Sequence, residues 1–450
     1  MESLRLAFSP LARTTFDIEL AKEVTQMARA QLINSGLELV GPDDLITDQP
    51  TAERAAQELQ HEAIDLLVVF QATFADSSMV TALAEACQAP VFLWAVPEPR
   101  SGGRLRLNSL CGINLAGHAL TLRRQHYRYA YAAPEDGPTL RQIKALAAAG
   151  KVQRRLRSAQ LGVIGEHPTG MDSCHLDEPL LEQKLGLHIQ RIELEEVFER
   201  ARLVPKSELA GTRTQLDQWL DNLPSLEQAP LEGTLSVYAA LKQIASEKKL
   251  DGLAVRCWPE FFTQMGCAAC GAMSMLSEGF GADTPVPCSC EADVNGTITQ
   301  LLLQWLAGAP AFGSDIVAMD FEEEIVALWH CGLAPLSMAD SASQPHGGIH
   351  SNRRVPLVME FPLKPGHVTL ARLSRASGEL SLVLGQGEML TSDPPFSGTS
   401  GVLRPDSTVR QFFDTLMGEG LEHHISLAYG DYLPELQTLA RLLELPVLRI

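Results

Sequence analysis

The stretch Ile64-Asp-Leu-Leu-Val-Val-Phe70 carries one polar residue in seven, and helical patterns flank it, Ala52 to His61 before and Ser78 to Cys87 after. A short, nearly continuous apolar strand between helices marks a parallel sheet covered on both faces. The pattern repeats outward. Residues 4–9 and Leu37 to Val40 read as strands around an amphipathic helix from Asp17 to Ser35, and Pro90 to Val96 reads as the next strand. Strands and helices that alternate in this way fold as α/β. Ligands of such sheets bind beyond the C-terminal strand ends. Those ends carry Arg13 and Phe74, each equally a plain loop residue, and then the basic loop Ser101-Gly-Gly-Arg-Leu-Arg-Leu-Asn108. That loop matches neither the Walker A sequence nor the dinucleotide fingerprint. Its glycines suit a turn, and Arg104 and Arg106 are candidates to meet an anion.

A polar, basic helix from Leu140 to Arg157 leads into a second unit of the same kind. Its strands are expected at Leu161–Gly165, Ile189–Leu194 and Leu250–Arg256, with helices at Asp177–Leu185, from Glu195, and at Leu231–Lys248. After Leu306 the character changes. Short runs beginning at Asp315, Glu324, Val355, Val368 and Glu379 are punctuated by Gly and Pro, which indicates an antiparallel or barrel-like domain. The expected organisation is two Rossmann-like parallel-sheet domains, 1–157 and 158–306, followed by a β-rich, barrel-like domain, 307–450.

Candidate chemistry gathers around Cys288-Ser-Cys-Glu-Ala-Asp-Val-Asn-Gly296, where Glu291 and Asp293 stand at the entry to an apolar helix, Thr297 to Leu306. A third carboxylate follows in Phe312-Gly-Ser-Asp315-Ile, and two adjacent imidazoles lie in Glu422-His-His-Ile-Ser-Leu. Carboxylate oxygens are hard ligands suited to Mg²⁺ or Mn²⁺, and two of them with one histidine leave positions open for substrate. The plainer reading is that Glu291 caps a helix and His424 is a satisfied, partly buried residue.

These segments resemble L-fucose isomerase and, more loosely, the L-arabinose isomerases. The resemblance rests on Cys290-Glu-Ala-Asp-Val-Asn-Gly, on the spacing from Glu291 to Asp315, and on His424 followed by Ala428-Tyr-Gly-Asp and Leu439-Ala-Arg-Leu-Leu-Glu-Leu-Pro-Val447. It implies a metal-dependent aldose–ketose isomerase of a monosaccharide. Glu291, Asp315 and His424 would hold Mn²⁺ or another divalent cation, with Glu291 as base and Asp315 as acid, or the reverse. The chemistry needs a base for a carbon-bound proton, an acid for the neighbouring oxygen and a polarised carbonyl. The resemblance further implies a homo-oligomer in which the N-terminal domain of one subunit reaches a neighbour's active site, giving Arg13 and Phe74 a role there. Arg256-Cys-Trp-Pro-Glu260 leaves a strand end and is the expected substrate segment. Arg256 and Glu260 depart from the family's Gln-rich pattern there, while Trp258 keeps its aromatic ring. His330, at a strand end, is a candidate substrate contact. His423, which stands where the family has a substrate-binding Asn, is expected to touch a sugar hydroxyl, the plainer reading being a structural histidine bonded to backbone. Sulfoquinovose isomerases also resemble this superfamily, and a sulfonate would suit Arg13, Arg104 or Arg256.

Composition bounds these readings. The net charge of −19 argues against a nucleic-acid partner. No apolar run approaches the length of a membrane span, and Met1-Glu-Ser-Leu-Arg-Leu-Ala-Phe has no signal-peptide layout. Nine cysteines, several in apolar segments, read as reduced cytoplasmic thiols. Cys267-x-x-Cys270 with Cys288-x-Cys290 has the look of a zinc site, but Met265 to Leu276 reads as a small-residue helix and buried thiols are expected. His346 and His350 sit in a glycine-containing polar loop, where a ligand pair is not expected. Two other functions fit the same pattern: a non-catalytic sugar-binding protein without a metal, and an epimerase or hydro-lyase using the same metal chemistry. Metal-dependent exchange of the C2 hydrogen separates the first of these, and product identity the second.

Overall fold

The computed structural model describes residues 3–100, 102–281 and 284–450. Ser101, at the head of the basic loop, and residues 282 and 283 of the run before Cys288 lie outside the described residues. The chain divides into two compact units, one of residues 1–155 with 434–443, the other of 156–433 with 444–450.

The first unit is built on a five-stranded parallel sheet in the order Leu37–Val40, Leu4–Leu11, Leu66–Gln71, Val91–Ala95, Tyr127–Tyr131. Every residue of the strand Leu66–Gln71 is buried, as its apolar run requires for a strand with helices on both faces. One face carries Phe8, Phe70 and Trp94, with Phe70 edge-on to Trp94 at 5.3 Å. Each such side chain taken from water contributes about 1.5–3 kcal/mol. The helices start where the sequence offers caps. Asp17 accepts from the Leu20 amide and Asp48 from the Thr51 amide, satisfying donors a helix leaves free.

The second unit opens with a four-stranded parallel sheet, His188–Ile192, Gln160–Ile164, Gly252–Val255, Cys288–Ser289. It continues into a barrel of six strands: Phe312–Asp320, His424–Tyr429, Gly366–Ser374, Ser381–Leu390, Thr399–Pro405 and Ile325–His330, the last pairing with the first. Closure removes the exposed edges that an open sheet of this length would present. Val326, Leu328, Val368, Leu370, Leu403 and Leu427 belong to a core shared with the four-stranded sheet's helices. The α/β architecture followed by a barrel is therefore as the pattern indicates. Two differences are local. The helix expected from Met265 begins only at Cys270, because Phe261–Met265 forms a π-helix and Gly266 turns left-handed at φ +64°. The strands Thr399–Pro405 and His424–Tyr429 and the helix Val409–Gly418 also complete the last third, three elements that the pattern did not mark. Among the described residues no helix is long and apolar enough to cross a membrane.

Candidate active site

The site forms in the second unit, where the strand Cys288–Ser289 hands over to the helix Val294–Ala307. Between them Glu291 and Ala292 both adopt left-handed backbone, φ +58° and +54°, a conformation costing about 1–2 kcal/mol per non-glycine residue. Two backbone bonds hold it: the Ala292 amide donates to Val255 O at 3.0 Å, and the Asp293 amide to Cys290 O at 3.0 Å. The strained turn aims Glu291 at the barrel while Asp293 caps the helix, accepting from the Gly296 amide at 2.9 Å.

Asp293 is buried and fully occupied. It forms a two-pronged ion pair with buried Arg372 and accepts from Nδ1 of His424 at 2.9 Å. Burial works to raise its carboxyl, but Arg372 and His424 outweigh that and hold it well below the usual carboxylate range. With Nδ1 turned to Asp293, His424 points Nε2 at Asp315. Burial alone would lower the pKa of His424, yet its hydrogen bond to Asp293 and its closeness to Asp315 and Cys174 hold it well above the ordinary imidazole value. Asp315 and His424 are direct partners across adjacent antiparallel strands, so their side chains rise from one rung on the same face. Asp315 Oδ1 lies 3.3 Å from His424 Nε2 without the alignment of a hydrogen bond, and this buried oxygen has no hydrogen-bond partner.

Glu291 has looser surroundings. Trp258 Nε1 donates to its Oε1 at 3.4 Å, His423 Nε2 lies 3.4 Å from Oε2, and the Cys174 thiol donates to Oε2 at 3.7 Å. Burial pushes its carboxyl up, but His423, His424 and Trp258 bring it below its usual value. Asp315 is likewise raised by burial and lowered further by His424, His330 and His423. Both carboxylates are therefore ionised at neutral pH.

Two sets of donor atoms close enough to share one ion share His424: Cys174, Glu291 and His424, and Asp315, His330 and His424. No single set gathers Glu291 with Asp315. The residues nonetheless suit a hard divalent cation. A buried carboxylate oxygen without a partner, beside an imidazole whose other nitrogen is fixed by a carboxylate, is the arrangement metal-binding histidines show. Such a cation, held by Glu291, Asp315 and His424, would polarise a carbonyl.

The other residues singled out from the sequence fall as follows. Trp258, His330 and His423 join the cluster. His330 is buried, with Nδ1 accepting from the Cys331 amide at 2.9 Å, and His423 is 41% exposed at its side chain, with Ser173 Oγ 3.2 Å from Nδ1. Arg256 and Glu260 pair with each other at 2.7 Å. Arg13 and Phe74 belong to the first unit, where Arg13 stacks on Phe74 and pairs with Asp76, and Arg104 donates to Thr15 O there. His346 contacts Asp221 at 3.2 Å. Cys267 and Cys288 are separate buried thiols, each pushed up to about 12 by burial, while Cys270 lies 3.4 Å from Cys331 and Cys257 2.7 Å from Cys290. Cys174, Arg372 and Glu422, whose Oε2 lies 3.8 Å from Arg372 Nε, complete the site and were not anticipated. Arg372 did leave a signal, as one charge inside the apolar run Val368–Leu373; a charge there needs a buried partner.

Residues 9–157 match the family model of the fucose/sulfoquinovose isomerase N-terminal domain, and residues 328–450 that of the L-fucose isomerase C-terminal domain. The chain is a sugar isomerase, an intramolecular oxidoreductase that interconverts an aldose and a ketose. It is 31% identical to the sulfoquinovose isomerases of Priestia aryabhattai and Alkalicoccus urumqiensis and 30% identical to that of Clostridium sp. strain MSTE9, in each case over 99% of both chains. The chain belongs to the fucose/sulfoquinovose isomerase family.

Proposed function

We propose that the chain isomerises a sulfonated aldose, of the sulfoquinovose type, to its ketose with a divalent cation, Mn²⁺ or a similar ion, held by Glu291, Asp315 and His424. The observation that carries the cation is the unpartnered Asp315 Oδ1 beside His424 Nε2. When bound, the cation draws electron density from the substrate carbonyl and offsets the charge that develops on its oxygen. Glu291 removes the C2 hydrogen as a proton and returns it to C1. Asp315 passes the matching proton between the oxygens on C2 and C1, so no atom is gained or lost. Ionised carboxylates suit both transfers. Asp293 and Arg372 take no part in proton transfer; they hold the His424 ring, with Nδ1 occupied and Nε2 turned inward. The anionic substrate is supported by relatives whose names specify sulfoquinovose and which align over nearly the whole chain.

As in the resemblance read from the sequence, the proposal includes a homo-oligomer in which Arg13 and Phe74 meet a neighbour's site. It also includes a reducing, cytoplasmic setting, which nine unpaired thiols suit. An aldose panel with and without a 6-sulfonate, assayed by NMR with Mn²⁺ after EDTA treatment, tests the reading. Ketose formation from the sulfonated sugar that is lost with the metal and restored by Mn²⁺ is the expected result. Full activity after verified metal removal overturns the cation, and turnover of neutral sugars alone overturns the substrate.

A further inference from the structure

The arginines around this site differ in how they are engaged. Arg372 is taken by Asp293, Arg256 by Glu260, Arg375 by Asp177, and Arg191 by Glu166 and Glu178. Arg353 is paired with no carboxylate among the described residues. Its guanidinium lies over two rings instead, 6.0 Å from the Trp258 centroid and 5.7 Å from the Phe262 centroid. Trp258 is the residue whose indole N–H reaches Glu291 Oε1, so one indole separates Arg353 from the reacting carboxylate.

The position is fixed from below. His350 is buried, packs edge-on against Phe262 at 5.1 Å, and accepts the Asn352 and Arg353 amides at Nδ1, 3.3 Å each. The Arg354 amide closes the same turn onto His350 O at 2.8 Å. The guanidinium is thus presented on an aromatic base by a tied backbone, while the side chain itself is exposed. Contact with ring faces leaves a guanidinium's N–H groups free around its edge, and that fork matches two oxygens of a tetrahedral oxyanion. An unpaired cation in a chain of net charge −19, one ring from the catalytic carboxylate, is placed to receive the far end of a substrate whose C1 and C2 lie at Glu291.

Resting on the substrate reading above, we infer that Arg353, on its Trp258–Phe262 base, is the binding subsite for the 6-sulfonate. The subsite takes the anionic end of the sugar by two charge-assisted hydrogen bonds, and it is separate from Arg13, Arg104 and Arg256, the arginines the sequence suggested.

The test is Arg353→Gln, compared with the parent and with Arg353→Lys, in KM for the 6-sulfonated aldose and in the inhibition constant of a neutral hexitol, which fills the sugar site without a sulfonate. Loss of charge-assisted bonds is expected to raise KM in the Gln variant by about 10- to 100-fold relative to the change in the hexitol constant, with the Lys variant between Gln and parent because it keeps the charge but not the fork. An equal change in both constants assigns Arg353 to scaffolding and overturns the subsite, as does an unchanged KM. A parent inactive on the sulfonated aldose overturns the substrate reading and the subsite together; a parent active on it with an unaffected Gln variant overturns the subsite alone.

Discussion

Asp293 has both carboxylate oxygens on fixed partners, Arg372, His424 and the Gly296 amide, in a dry setting. Glu291, two residues earlier, meets only contacts of 3.4 Å or longer, two of them to groups that reach solvent, Trp258 and His423. The difference separates two tasks assigned to neighbouring acids. A carboxylate saturated with short bonds cannot accept a proton or exchange a ligand without losing them, so Asp293 fixes geometry. A carboxylate with loose contacts can, so Glu291 is available for chemistry. The saturated side also carries the larger energetic stake, because a buried ion pair becomes a liability once one partner is removed.

Removing the saturated acid gives the largest effect. Asp293→Ala leaves buried Arg372 with only the more distant Glu422, at 3.8 Å, as counter-charge and is expected to cost about 3–5 kcal/mol of stability, read from urea denaturation; a loss under about 1 kcal/mol would show that Asp293 is not the structural member. Glu291→Gln reverses the profile. Its expected signature is a fall in kcat of about 10²–10⁴-fold with stability within about 1 kcal/mol of the parent, and a variant that unfolds as readily as Asp293→Ala would erase the contrast. His424 lies between the two, held by Asp293 and facing Asp315. His424→Ala is expected to weaken Mn²⁺ binding by at least the roughly 10–100-fold that even a partner of a metal ligand contributes, measured by titration calorimetry; unchanged affinity would take His424 out of the ligand set. The smallest effect is expected at the exposed edge. His423→Asn should shift KM by less than about tenfold, the range of one hydrogen bond, with Mn²⁺ content near the parent's, and metal loss would move His423 to the cation itself.

Much of this contrast was legible in the residues. Glu291, Asp315 and His424 stood out as separated donors at a resembling spacing, and the alternation around Ile64–Phe70 announced the parallel sheet. Asp293 was visible as a carboxylate at a helix entry, but its role was not, because that role depends on Arg372, seventy-nine residues away on a barrel strand. The strand Thr399–Pro405 was hidden by Gly401, Arg404 and Pro405, and it forms because Ile325–His330 and Ser381–Leu390 supply its partners on both sides. Arg353 gave no sign at all. Its neighbours in sequence are Asn352 and Arg354, and the rings beneath it come from Trp258 and Phe262.

The rung that sets Asp315 opposite His424 also has a bearing on how this scaffold can be altered. Side chains alternate along a strand, so a slip of one residue in either barrel strand would turn one donor of the pair outward while leaving the other in place. The separation between the two is set by the hydrogen-bonded ladder and is insensitive to the identity of the residues around them. The facing of Asp315 and His424 therefore depends on the register between the two strands. On the proposed reading, sugar preference falls to the segments at Trp258 and Arg353, which lie outside the two strands.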